Sequence, residues 1–166
     1  MKRPLVYPGL LAVIVILAVY FYSMLPNEQD KMIKEETLKA AAMLQQVYDQ
    51  SKKDGLTLAQ AEKIGADKLR AMRYGADKSG YFWADTVKGL NIVHIDRKNM
   101  EGRMRIDFNI NGIYYIRELI KQGLKPDGGY TDYYFPKVGQ TVPSKKRAYT
   151  ILFKPFNWII GTGYYL

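Results

Sequence analysis

The sequence predicts an α+β domain built on an antiparallel sheet and preceded by one transmembrane helix. Three observations predict it. An uncharged run extends from Leu5 to Leu25 behind Lys2 and Arg3. Two segments with helical spacing of apolar residues follow. From Gly80 onward, β-branched and aromatic residues bounded by Gly, Asn, Asp and Pro replace the Ala, Leu and Lys of the helices. The order helix, helix, two strands, helix, three strands is that of helices set against an antiparallel sheet.

At about 1.5 Å per residue, the run 5–25 spans roughly 31 Å, the hydrocarbon thickness of a bilayer. The basic residues on its short leading side keep residues 1–4 cytoplasmic and put 27–166 outside, with Tyr7, Tyr20 and Tyr22 at the interfaces. A cleaved secretory signal begins in the same way. Here, however, the apolar run is too long, and Tyr20-Phe21-Tyr22-Ser23-Met24 lacks the small-x-small pattern that a signal peptidase needs.

The chain has no cysteine, which excludes disulfides, thiolate metal sites and a thiol nucleophile. The exported part must therefore hold itself together with a packed core, for which 27–166 is long enough. Of the formal charge of +9, the segment from Arg97 to Leu166 carries +7, with 12 basic and 5 acidic residues. That imbalance favours anionic partners, and export makes nucleic acid the least fitting of them.

Pro26 ends the apolar run, and 27–53 reads as a helix about 40 Å long with Ile33, Thr37, Ala40, Leu44, Val47 and Ser51 on one face. Lys52-Lys53-Asp54-Gly55 stops it. Thr57 and Gln60 form a capping box for a second helix over 57–73, in which Leu58, Ala61, Ile64, Leu69 and Met72 keep helical spacing. Gly65 in its middle costs about 1 kcal/mol relative to alanine, and close packing would explain its presence.

The remainder, 80–166, reads as sheet. Strands are predicted over Gly80–Asp85, Asn91–Ile95, Gly129–Phe135, Arg147–Phe153 and Trp158–Tyr164, with turns at Thr86–Gly89 and Val138–Ser144. Between the second and third strands, Ile113–Gln122 is a helix stopped by Gly123 and Pro126.

His94 is the only histidine, which rules out a histidine-rich zinc site. Gly161-Thr162-Gly163 has neither the third glycine nor the Lys-Ser/Thr of a phosphate loop and reads as sheet backbone. Asp85, Asp96 and Asp107 read as loop aspartates, since no spacing forces two of them into a catalytic pair. No enzyme, metal site or cofactor is predicted.

What remains is a set of aromatic and basic residues on or near strands: Tyr81, Trp83, His94, Tyr130, Tyr133, Lys146 and Tyr149. Phenols, an indole, an imidazole and an ammonium around an apolar wall suit a small carboxylate, and a buried ammonium favours an anionic ligand. The competing reading is structural, because Tyr and Trp are ordinary strand residues. Alternation places Tyr81 with Trp83 on one face, and Lys146 with Ala148. Tyr149 faces away from Lys146 unless a bulge or a strand start intervenes.

Larger strings then align. Arg73-Tyr74-Gly75, Gly80-Tyr81-Phe82-Trp83, His94, Gly129-Tyr130, Tyr133-Tyr134-Phe135-Pro136-Lys137, Lys146-Arg147-Ala148-Tyr149 and Trp158-Ile159-Ile160-Gly161-Thr162-Gly163-Tyr164 keep a characteristic order and approximate spacing. In this the chain resembles the single Cache sensor domains of methyl-accepting chemotaxis proteins and sensor histidine kinases, over nearly the whole exported region. Ile95 and Phe135 depart from the Pro and Trp usual in the family.

The resemblance implies a PAS-like Cache fold, with the long helix along the sheet and a ligand cavity on the sheet face. It implies a periplasmic or extracellular domain that senses a small organic anion, a short-chain carboxylate, for chemotaxis or signal transduction. The pocket it implies comprises Tyr81, Trp83, His94, Lys146 and Tyr149, with Arg103 as an addition. Receptors of the family continue past the last strand into a second membrane helix and an output domain, whereas this sequence stops at Leu166. The expectation is either a stand-alone sensor signalling through a partner or a part of something longer. A receptor, a kinase or a second copy pairing along 27–53 is the expected partner. The alternative function is a scaffold for which Ile33, Thr37, Ala40, Leu44 and Val47 form the pairing seam.

Overall fold

Asn27 opens the first helix, its side chain accepting the Gln29 N–H at 3.0 Å in a computed structural model that describes residues 27–166 together with Val13. Among the described residues no helix is long and apolar enough to cross a membrane. The predicted span over 5–25 lies, apart from Val13, outside them.

Helix α1 (Glu28–Lys53) carries Glu28 and Asp30 in its first turn and Lys52 and Lys53 in its last, complementing the helix dipole. Its buried residues are Ile33, Thr37, Ala40, Leu44, Val47 and Ser51, the face read from the sequence. This face lies against the domain's own sheet, where Ile33, Ala40 and Leu44 are fully buried. The proposed pairing seam is corrected accordingly: those side chains are spent on the intramolecular core and cannot also meet a partner.

Helix α2 (Leu58–Ala71) begins with the Thr57–Gln60 capping box, both of its hydrogen bonds being present. A Cβ on Gly65 would stand 2.8 Å from the Phe156 ring and 3.0 Å from Leu44, so close packing does demand the glycine.

The strands are β1 (Trp83–Thr86), β2 (Asn91–His94), β3 (Gly129–Pro136), β4 (Pro143–Phe153) and β5 (Trp158–Tyr165), and helix α3 (Tyr115–Gly123) precedes β3. All pairings are antiparallel, in the order β2-β1-β5-β4-β3. Two strands start elsewhere than predicted. β1 starts at Trp83 rather than Gly80, because Tyr74 and Gly80 pair with each other and close a separate loop. β4 starts at Pro143 rather than Arg147, because the ladder with β3 runs on to Pro136↔Pro143.

Strand alternation divides the side chains between two layers. Phe82, Ala84, Phe153, Trp158 and Ile160 face α1 and α2. Tyr81, Trp83, Tyr133, Phe135, Ala148 and Ile159 face α3 and the chain between β2 and α3, which contributes Ile106, Phe108 and Ile110. The second layer holds the buried charged groups, Asp85, Arg105 and Lys146, together with His94.

Candidate ligand-binding site

Tyr81, Trp83, His94, Tyr133, Phe135 and Lys146 project from one face of the sheet and line a cavity. Tyr115 and Leu119 of α3, with Arg105 from the preceding segment, close it from above. The cavity volume is about 10 Å³. That is room for roughly one water-sized group, so even the smallest organic carboxylate must displace side chains.

Lys146 is the central cation, only 1% exposed. Its ammonium donates to the Tyr81 hydroxyl at 2.9 Å and lies 4.5, 5.0, 5.7 and 4.9 Å from the ring centres of Tyr81, Trp83, Phe135 and Tyr165. No carboxylate of the described residues reaches it within 4.0 Å. Burial pulls its pKa down to about 7, against an opposing pull from the Asp96 charge. The rings stabilise the ammonium through their π faces, yet they do not replace an anion.

Arg105, by contrast, is buried with its partner: it forks onto Asp85 at 2.7 and 2.6 Å, and Asn91 donates to the same carboxylate at 3.0 Å. Burial pushes the Asp85 carboxyl up, and the guanidinium offsets part of that. Asp107 pairs with Arg117 at the surface, so these aspartates form ion pairs rather than a carboxylate couple.

His94 is pulled down to about 3 by burial and by the positive charges of Arg105, Lys146 and Arg97. It is a neutral imidazole at any physiological pH. Glu101 accepts its backbone N–H at 2.9 Å, its ring packs 5.6 Å from Phe135, and its Nδ1 has no partner among the described residues. Burial pushes the phenols of Tyr81 and Tyr133 upward, so both remain protonated donors.

Five of the sequence-predicted residues thus meet: Tyr81, Trp83, His94, Tyr133 and Lys146. Three do not. The β3–β4 ladder continues without a bulge, so Tyr149 stays on the face opposite Lys146 and gives its hydroxyl to the Asp127 carbonyl. Tyr130, its ring 4.9 Å from that of Tyr149, donates to the Asp30 carbonyl on α1 at 3.1 Å. Arg103 is exposed, its guanidinium 5.8 Å from the Phe108 ring, and Arg105 occupies the cavity instead.

The sequence reading missed Arg105, Tyr115, Leu119 and Phe135. Phe135 had a signal, being two residues from Tyr133 in one strand. Tyr115 and Leu119 had one too, four apart on a predicted helix. Arg105 had none.

The sequence profile described as single Cache domain 2 matches residues 25–166. The chain belongs to that family. Methyl-accepting chemotaxis protein McpP of Pseudomonas putida is 30% identical to this Cache domain over 107 residues, which are 64% of this chain and 19% of McpP. Among solved structures, a periplasmic sensor domain of a chemotaxis protein superposes with a TM-score of 0.76 at 24% identity, covering 84% of this chain and 95% of that one. A Cache chemosensory domain solved to explain carboxylic acid recognition gives 0.69 at 25%, covering 80% and 92%. A single Cache domain is a non-enzymatic, extracytoplasmic ligand-binding module, and the relatives that carry it here are chemotaxis proteins.

Proposed function

We propose that this Cache domain senses a small organic carboxylate, whose headgroup Lys146 and Tyr81 hold together. The domain would be the extracytoplasmic input of a chemotaxis or signal-transduction system, fixed to the membrane by residues 5–25. The observation that carries the reading is the Lys146 ammonium, buried among four aromatic rings with no carboxylate of the described residues beside it. A desolvated cation is costly when unpaired, and an anionic ligand removes that cost.

The other residues divide the remaining work. Trp83, Tyr133 and Phe135 wall the apolar part of the ligand, and the neutral His94 faces any second polar group. The narrow space keeps the ligand to a few carbon atoms. Carboxylic acid recognition by a solved relative of similar fold supports the same ligand class.

Calorimetry with acetate, propionate, lactate and pyruvate tests this directly. At least one is expected to bind the wild-type domain and not Lys146→Ala. No heat and no thermal shift with any of them, or equal binding by Lys146→Ala, would overturn the assignment.

A further inference from the structure

Trp83, His94, Arg105, Tyr133 and Lys146 are each at most 4% exposed, so a ligand reaches the cavity only through a wall that moves. Tyr81 belongs to such a wall, lining the cavity on one side and an outer groove on the other. The groove runs between the Tyr74–Gly80 loop, the end of β5 and the turn after β3. Its volume is about 490 Å³, against about 10 Å³ for the cavity. Three other surface grooves share no residue with the cavity.

Tyr165 stands beside that wall on the groove side. It lines the groove, and its ring centre is 4.9 Å from the ammonium of Lys146 in the cavity and 5.5 Å from that of Lys137 in the groove. Its hydroxyl donates to the Pro136 carbonyl at 2.7 Å and also lies close enough to the Tyr81 hydroxyl to interact with it. At this end of β5 only β4 still pairs, through Lys146↔Tyr165, since the ladder with β1 stops at Gly161. A rotamer change at Tyr165 therefore moves the ring while the backbone ladder stays whole. Tyr81 is more tightly held, being 7% exposed and bonded to Lys146.

We propose that the groove is the vestibule of the binding cavity and that Tyr165 is the gate between them, admitting the small anion that the carboxylate reading above requires. Pro136 latches the gate. Tyr165 is thus a positioning residue for access, distinct from the residues that hold the headgroup.

Cyanate labelling of the full chain in detergent tests the gate without a bound ligand. The neutral amine of Lys146 adds across isocyanic acid to give a carbamoyl-lysine with no atom lost, and mass spectrometry reads the rate against exposed Lys53. Tyr165→Phe keeps the ring and loses the latch. It is expected to label at Lys146 about five-fold faster, the factor that goes with one ordinary hydrogen bond. Tyr165→Ala should be faster still and Tyr165→Trp slower than wild type. The pH midpoint of the Tyr165→Phe reaction and the rate at Lys53 should not change.

Equal Lys146 rates in all four proteins would overturn the gate. So would a rate change in Tyr165→Phe accounted for by a displaced pH midpoint alone. Calorimetry with acetate, propionate, lactate and pyruvate separates the two proposals: absent binding of all four removes the carboxylate reading, while the labelling rates still decide on Tyr165.

Discussion

Lys146 and Arg147 are neighbours on β4 and carry their charges to opposite faces of the sheet. The Lys146 ammonium meets the Tyr81 hydroxyl at 2.9 Å inside the cavity, and Arg147 Nε meets the Asp30 carboxylate on α1 at 2.8 Å. The same carboxylate accepts the Tyr164 hydroxyl at 3.0 Å, and Asn27 donates to that hydroxyl at 3.0 Å. One strand thus joins the candidate ligand site to the first turns of the long helix.

Asp30→Ala removes the acceptor shared by Arg147 and Tyr164. Hydrogen exchange in the first two turns of α1 is expected to speed up about ten-fold, as loss of one or two ordinary hydrogen bonds implies. Carboxylate affinity should change less than about two-fold, because Asp30 does not touch the cavity. A loss of binding as large as that of Lys146→Ala would place Asp30 in the site instead.

Lys146→Met keeps a similar apolar stem and deletes the charge. Binding of the preferred carboxylate should weaken by about 100-fold, the scale of a charge-assisted hydrogen bond. The melting temperature without ligand should stay level or rise, since a desolvated cation is gone. A fall in melting temperature would mean that the aromatic rings compensate the ammonium fully.

The pH dependence follows from the same group. With Lys146 lowered to about 7 in the folded protein and near 10.5 when unfolded, the unfolded chain binds more protons between those values. Ligand-free stability is therefore expected to rise with pH across that window and to be insensitive to Lys146 below it. A bound carboxylate favours the ammonium, so binding near pH 7 and above should take up a proton, and affinity should fall as pH rises past 7. Calorimetry in two buffers of different ionisation enthalpy measures the uptake, and no buffer dependence at pH 8 would contradict it.

Asp85→Asn leaves Arg105 buried beside a neutral amide. Breaking one side of a buried ion pair costs about 3 kcal/mol or more, which for a domain of this size lowers the melting temperature by roughly 10 °C. A calorimetric melt checks this, and a shift of one or two degrees would show that Arg105 finds another partner.

Residues under a regular period were legible in the sequence. The buried face of α1 from Ile33 to Ser51 follows from spacing alone, and so does the shared face of Tyr81 and Trp83. The opposition of Lys146 and Tyr149 was equally available from strand alternation. Residue type and the family likeness both offered Tyr149 to the pocket, and the unbroken β3–β4 ladder put it back on the face packed against α1. Arg103 and Arg105 lie two residues apart in a segment with no helical or strand repeat, so no pattern distinguishes the exposed one from the buried one.

By itself the sequence determined the order of elements, the faces that regular elements bury and the kinds of group available to a ligand, because backbone geometry fixes a period that residue types reveal. The tertiary structure decided which of those groups meet. It assigned Arg105 to Asp85 and left Lys146 without a carboxylate partner among the described residues. It also covered α1 with the domain's own sheet and set Tyr165 between cavity and groove. Each of these depends on contacts between residues far apart in the chain, which local spacing does not encode.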